Sequence, residues 1–332
     1  MPETQMQLLG IDDLWSGFLQ IAELPSVILF LCMLIEFALP IPNRMRLNRL
    51  TPIFQAAARK VNKRENTLSQ TYFAGIMLPT LIILLVALAL LSIEVVTGFD
   101  DLVALVVLPF LLESRVAMLC ATGVSSALKE GNKAKARQIL KPYVLRDVKP
   151  LSAVGLSKAA CETCLIRAFT SWFAILVWYT LAGIAGAIIM QVVCVMARAF
   201  NSKLYENSTF GAAIARFEQG MLLPAAICIM VLRIFSFSPL KSLKGWLNGG
   251  RYYPSQVTGF IIGLYGRVLN ISLGGPRIYE GQKVRYPKIG GKNEPDEKSP
   301  VKAFHKIRFT GILYCCLYVI VDVFIFNDYL SL

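Results

Sequence analysis

The chain has 332 residues, is 55% hydrophobic, carries a formal charge of +13 and has a mean hydropathy of +0.57. Those values exclude an ordinary soluble domain, because the apolar residues are gathered into runs of the length a bilayer requires of a spanning helix. They do not call for nucleic acid, because positive charge clustered between apolar runs is what the positive-inside rule produces, and no basic patch interleaved with aromatics is present.

The chain opens with Glu3, Asp12, Asp13 and Glu23 and no Lys or Arg before residue 25, so the basic start of a cleaved signal peptide is missing. Six apolar runs follow, at 25–42, 72–96, 102–120, 169–196, 222–235 and 309–326. The second is the clearest span. Arg44, Arg46, Arg49, Arg59, Lys60, Lys63 and Arg64 lie between the first two runs, and only Asp100 and Asp101 between the second and third. This asymmetry predicts that the N-terminus faces away from the cytoplasm (the periplasm, for a bacterial inner membrane) and that 43–71 and 113–160 face the cytoplasm.

Segment 113–160 reads as helical, with a break at Gly131-Asn132, a short amphipathic helix ending near Pro142, a turn over 147–150 and a new helix from Ser152 or Ser157. Cys161 and Cys164 form a lone CxxC, which in the absence of a second pair reads as free thiols. The run at 169–196 has two readings. It is one long span, or a helical hairpin with two half-length legs that turns in "LAGIAGA" (181–187) and returns Arg198 and Lys203 to the cytoplasmic side. Segment 237–308 is the largest polar block, with thirteen Lys or Arg against four acids. Within it, 257–273 is apolar but broken by Gly259, Gly263 and Gly266, as in a buried or re-entrant helix. The expected fold is all-α: one integral membrane domain over 1–332, a polytopic helical bundle of about six spans. Its helical and irregular cytoplasmic segments, 113–160 and 237–308, form the expected site.

The stretch "LGGPRIYEGQKVRYPKIGG" (273–291) cannot be a regular helix, since two glycines precede Pro276. Its glycines expose backbone N–H groups, and Lys283, Arg285 and Lys288 add charge. Such a loop can bind a phosphorylated or carboxylate ligand or lie against anionic lipid headgroups. The residues alone leave both open.

This stretch resembles the C-terminal signature of the CbiB/CobD family of cobalamin-biosynthesis membrane proteins. The resemblance is carried by Leu273, Gly274, Gly275, Pro276, Tyr279, Gly281, Ile289 and Gly290, with Tyr286-Pro287 and then Lys288 where the family has Lys-Pro. A second block agrees through Arg115, Ala136, Arg137, Leu140, Val144, Arg146, Asp147 and Leu151. Glu162-Thr163 is similar to a later Glu-Thr, and Arg216 with Glu218 stands where the family has an arginine and two acids. The similarity covers about residues 110–310.

The resemblance implies ATP- and Mg²⁺-dependent amide formation between the corrinoid adenosylcobyric acid and an aminoalcohol phosphate, giving adenosylcobinamide phosphate. It implies Arg146, Asp147, Glu162, Arg216 and Glu218 as catalytic residues, with Asp147 and Glu162 as magnesium ligands. Arg115, Gly274, Gly275, Pro276, Tyr279, Gly281, Lys288 and Gly290 would then bind substrate. The sequence departs from the family pattern at 164–172 and 195–201, where expected acidic residues are absent. These departures leave a second expectation: a catalytically degenerate membrane protein with a binding or regulatory role, as in the AmpE family.

Overall fold

A computed structural model describes residues 24–39, 41–97, 100–235 and 239–330. The reading of residues 1–23 as lacking a signal peptide, and the placement of the N-terminus, lie outside the described residues. The described residues form a bundle of helices with one small two-stranded sheet. Five helical stretches are long and apolar enough to cross a membrane, and a sixth, Pro25–Ala38, is apolar but shorter.

The helices are α1 (Pro25–Ala38), α2 (Thr51–Val61), α3 (Leu68–Thr97), α4 (Asp100–Leu111), α5 (Ser114–Lys129), α6 (Lys133–Leu140), α7 (Ala153–Ala168), α8 (Ala174–Ala199), α9 (Ala212–Ile234), α10 (Pro239–Tyr252), α11 (Gln256–Val268) and α12 (Ser299–Leu330). Their starts follow local chemistry. Asn132 caps α6 by accepting from Lys135 N at 2.9 Å, after Gly131 at φ 70° ends α5. Ser152 caps α7 by accepting from Gly155 N at 3.2 Å. The α3 helix is apolar all round and exposes Leu81, Leu84, Leu85 and Leu88, the surface of a lipid-facing span.

The 153–199 stretch resolves the two readings of the apolar run at 169–196 in favour of a hairpin. Ala182 (φ −146°) and Gly183 (φ 61°, ψ −159°) leave helical geometry, and only glycine takes the second conformation cheaply. Cys194 Sγ then reaches Thr170 O at 3.6 Å, and Arg198 reaches Ser171. Residues so far apart in sequence meet only if the chain doubles back at 182–183. The first leg is longer than half-length, since 153–181 extends roughly 43 Å at 1.5 Å per residue against a hydrocarbon core of about 30 Å, while the second, 184–199, extends roughly 24 Å. The first leg passes through a π-helical turn at Phe169–Phe173. Trp172 in that turn is fully buried, and its ring lies over Gly311 of α12, where any Cβ would collide with it.

A second irregularity faces the π turn. The apolar stretch 101–129 breaks between α4 and α5 at Glu113 (φ −122°, ψ 36°). The peptide groups freed there are both satisfied: Arg46 donates to Leu112 O, and Glu113 N donates to Ser171 O at 2.9 Å.

The apolar glycine-rich segment does form a buried helix, α11, packed on α10 with almost no side chain between them. The carbonyls of Gly259 and Gly263 lie where a Cβ on Gly249 or Gly245 would sit. The all-α expectation holds for the bundle, but 273–291 is not a loose loop. It is an antiparallel hairpin of β1 (Ser272–Tyr279) and β2 (Gln282–Gly290). Glu280 (φ 48°) and Gly281 (φ 81°) make its two-residue turn, with positive φ at both positions as a type I′ turn requires.

A saturated and an unsaturated carboxylate in the candidate site

Two buried polar centres stand among the apolar helices. The first is built on Glu162 of α7, which is 2% exposed. Its Oε2 accepts from Arg146 Nη2 at 2.7 Å and from Arg277 Nη2 at 3.1 Å, and its Oε1 accepts from Gly274 N at 2.6 Å. Gly274 presents that N–H because it sits at φ 82° in a register shift of the hairpin, pressed against Pro287 O. The preceding turn is drawn in by Asp147 N, which donates to Ile278 O of β1 at 2.8 Å.

Arg277 is the hub of this centre. Its guanidinium lies 4.1 Å from the Tyr286 ring centroid, donates to Tyr253 Oη, and reaches Tyr279 Oη at 3.4 Å. Burial alone would depress the Arg277 pKa, but the Glu162 carboxylate together with Tyr253 and Tyr279 outweighs this and raises it. Burial raises the Tyr279 phenol, yet the charges of Arg277 and Lys203 outweigh it and hold Tyr279 below its ordinary value. Burial, with Tyr279 beside it, pushes Tyr286 up to about 12.

The second centre is built on Glu113, at the break between α4 and α5, 1% exposed. Its Oε1 accepts from Gln191 Nε2 at 3.2 Å, and Arg198 Nη1 stands 3.6 Å from its Oε2. Arg198 Nη1 also donates to Ser171 Oγ at 2.9 Å. Three buried polar atoms here have no hydrogen-bond partner: Glu113 Oε2, Gln191 Oε1 and Arg198 Nη2. Arg167 of α7 acts electrostatically on Glu113 and Arg198 and lies over the Tyr143 ring at 5.4 Å. Glu218 of α9 faces Arg198 and Lys203. Lys203 links the two centres, since its charge acts on both Glu218 and Tyr279. Next to Glu113, Ser114 Oγ donates to the buried Glu36, whose other oxygen accepts from Arg115 N at 3.1 Å and faces Arg46 at 3.7 Å.

The expected site residues divide on this geometry. Arg146, Glu162, Gly274 and Tyr279 come together at the first centre. Glu218 comes to the second. Arg115 contributes a backbone N–H beside it and is half-buried. Of the two residues expected to hold magnesium, Glu162 has both oxygens engaged by this chain's own donors, and Asp147 is exposed with Oδ1 accepting from Lys149 N at 2.9 Å. Arg216 is not in a pocket. It is exposed and reaches Tyr72 Oη at 3.4 Å. Residues two positions apart on a helix differ by about 200°, so a face that turns Glu218 inward turns Arg216 out. Gly275 (φ 95°) and Gly290 (φ 101°) serve the hairpin's bends, Gly281 its turn, and Pro276 is exposed beside the register shift. Lys288 is exposed and pairs with Glu294 at 3.8 Å.

The sequence reading missed Arg277, Tyr253, Glu113, Gln191, Arg198 and Arg167 as site residues. Arg277 lay inside the GGPRIY motif itself, and the sharpest available signal for Glu113 was an acid inside the apolar run 102–120.

Magnesium takes one or two carboxylates together with substrate phosphates. Glu113 Oε2 and Gln191 Oε1, two buried oxygens without donors, suit such an ion. No group of three or more His, Cys, Asp or Glu side chains is placed to hold a metal among the described residues. Cys161 and Cys164 are buried and free, and Cys164 Sγ contacts Pro300 O at 3.5 Å.

The model of the CobD/Cbib protein family matches residues 29–307 of this sequence. The chain belongs to that family. Among curated proteins it is similar to cobalamin biosynthesis protein CobD of Chromobacterium violaceum, 27% identical over 168 residues covering 50% of this chain and 54% of that protein. It is also similar to the proteins of the same name from Sinorhizobium fredii, 27% identical over 232 residues covering 64% and 69%, and Streptococcus sanguinis, 25% identical over 214 residues covering 61% and 68%. It thus spans little more than half the length of the first of these relatives. No solved structure matches this chain. For this CobD/Cbib member, the family match includes both polar centres, from Glu36 to Tyr286.

Proposed function

We propose that this membrane protein acts in cobalamin biosynthesis as an amide-forming ligase. It would join adenosylcobyric acid to an aminoalcohol phosphate with ATP as a second substrate, giving adenosylcobinamide phosphate. Family membership supports the pathway. The observation that carries the reaction is the Glu113 centre: a buried carboxylate, an amide and a guanidinium, each with an unpartnered atom, next to Arg167, Glu218 and Lys203. Unpaired buried polar atoms cost about 1–3 kcal/mol each unless something satisfies them. Here the set offers cations for phosphoryl oxygens and oxygens for a hard metal ion.

The chemistry follows from those types. A carboxylate is a poor acyl donor until its oxygen carries a leaving group, which phosphoryl transfer from ATP supplies. Arg198 and Arg167 hold the phosphoryl oxygens in a site poor in water, where charge–charge attraction is strong. Glu113 and Gln191 would hold Mg²⁺, which when bound neutralises the transferring phosphoryl group. The amine nitrogen then attacks the acyl carbon. The C–N bond forms, the C–O bond to phosphate breaks, phosphate leaves, and the ammonium proton passes to the Glu218 carboxylate. Arg146 and Arg277, fixed by Glu162, position the hairpin beside this site, and Lys203 reaches the aminoalcohol phosphate. Segments 113–160 and 237–308 face the cytoplasm in this proposal, which supplies ATP, and the bilayer is a bacterial inner membrane.

The test is growth rescue of a strain lacking the family enzyme. Rescue supports the ligase. Absence of rescue despite confirmed membrane expression overturns it. The AmpE-like second reading rests on the engagement of Glu162 and Asp147 with the protein itself. It predicts binding of the aminoalcohol phosphate without ATP turnover.

A further inference from the structure

Away from both polar centres, an open groove of about 1280 Å³ runs between the start of α12 and the ends of α9 and α11. It exceeds the roughly 300–1,000 Å³ of ordinary small-molecule clefts. One wall is a single stripe of α12. Lys302, His305 and Lys306 come first, followed by Phe309, Leu313 and Leu317. Steps of three and four residues keep all six on one face. The stripe is therefore sorted along its length, with two lysines and a histidine over its first two turns and apolar side chains thereafter. From Phe309 to Leu317 it extends roughly 12 Å at 1.5 Å per residue, close to one leaflet's half of a hydrocarbon core about 30 Å thick. The opposite wall is mostly apolar, with Leu232, Phe235, Val268 and Leu269, and carries one buried cation, Arg233.

The charge at the polar end is largely uncancelled. Lys302 faces Asp296 at 3.6 Å, with both side chains about half exposed. His305 and Lys306 are exposed and make no ion pair among the described residues. Arg308, also at the groove, is anchored over the Phe37 ring of α1 at 4.0 Å. A small anion would have no use for the apolar trough and a neutral amphiphile none for the cations, while a zwitterionic headgroup would bring its own cation against the lysines. We infer that this groove is a binding site for an anionic phospholipid, with the headgroup on Lys302, His305 and Lys306 and an acyl chain along Phe309–Leu317. Basic pockets between helices at the membrane face hold acidic headgroups by this chemistry.

The experiment uses the full chain in nanodiscs made from equal parts of phosphatidylglycerol and phosphatidylcholine. It is extracted with detergent in steps, and retained lipid is counted by native mass spectrometry. The expected result is retained phosphatidylglycerol in preference to phosphatidylcholine, with the preference falling about fivefold per cation removed in Lys302→Gln/Lys306→Gln. Leu313→Trp, which fills the trough but keeps the charges, should lose the lipid as well. Four results overturn the inference: equal retention of both lipids, wild-type retention in Lys302→Gln/Lys306→Gln or in Leu313→Trp, displacement of the lipid by inorganic phosphate alone, and cross-linking of two copies through Leu313→Cys in place of lipid retention. Where the lysine pair fails to fold, Lys306→Gln alone, which disturbs no ion pair among the described residues, should lower the preference about fivefold.

Discussion

Glu162 and Glu113 are both buried carboxylates facing arginine, yet their surroundings differ in kind. Glu162 has a donor for each oxygen: Arg146 and Arg277 on one, Gly274 N–H on the other. Glu113 has Gln191 on one oxygen and only a 3.6 Å ion pair at the other, where three polar atoms go unpartnered. The first arrangement ties a helix, a turn and a hairpin together. The second holds groups in readiness for something from outside the chain. A buried ion pair is a poor guide to function until its remaining hydrogen-bonding capacity is counted.

The comparison breaks most visibly at Glu162. Glu162→Gln leaves Arg146 and Arg277 buried without a counter-charge, and removing one partner of such a pair costs about 3–5 kcal/mol. Thermal unfolding of the purified protein should show this as a large drop in Tm. An unchanged Tm with lost turnover would make Glu162 a ligand-handling residue instead. Gly274→Ala attacks the same centre through the backbone. It places a side chain at φ 82° against Pro287 O, for about 1–3 kcal/mol, read in the same assay.

Asp296→Ala, outside both centres, sets the scale of a local effect. Asp296 and Ser299 exchange hydrogen bonds at the start of α12, at 2.5 and 3.0 Å, and the Ser299 bond holds the Asp296 carboxyl below its ordinary range. A depressed carboxyl contributes stability that is complete above its unfolded pKa and is lost as pH falls through the folded one. Losing this cap should cost about 1 kcal/mol at neutral pH and flatten the acid side of the stability profile below about pH 4. Arg216→Ala should do least, within about 0.5 kcal/mol and with wild-type turnover, because Arg216 is exposed and its side chain bonds to the Tyr72 hydroxyl at the surface. A loss of turnover there would restore the role its motif implied.

The bundle was legible because bilayer length forces long apolar runs, and the 182–183 reversal was legible because glycines interrupt one of them. The hairpin was not legible as a hairpin. Its strands lack an apolar alternation: β1 is buried almost throughout while most of β2 is exposed. Glu280-Gly281 was the one local signal. Motif similarity found Arg146, Glu162 and Gly274 together, since a motif marks a centre whatever its role. It missed Glu113, whose partners Gln191 and Arg198 arrive only when the chain folds back at Gly183. It misplaced Arg216, because the step from Arg216 to Glu218 on a helix crosses to the other face.

The most direct measurement is formation of adenosylcobinamide phosphate by Glu113→Gln, at matched amounts of folded protein in the presence of ATP and Mg²⁺. Gln keeps the shape and the contact with Gln191, and Arg198 keeps its bonds to Cys194 O and Ser171 Oγ, so Tm should fall less than in Glu162→Gln. Turnover should fall by about 10²–10³-fold, as when a preorganised charge is removed from a reacting site. Wild-type turnover in Glu113→Gln would contradict the assignment of the site to this centre.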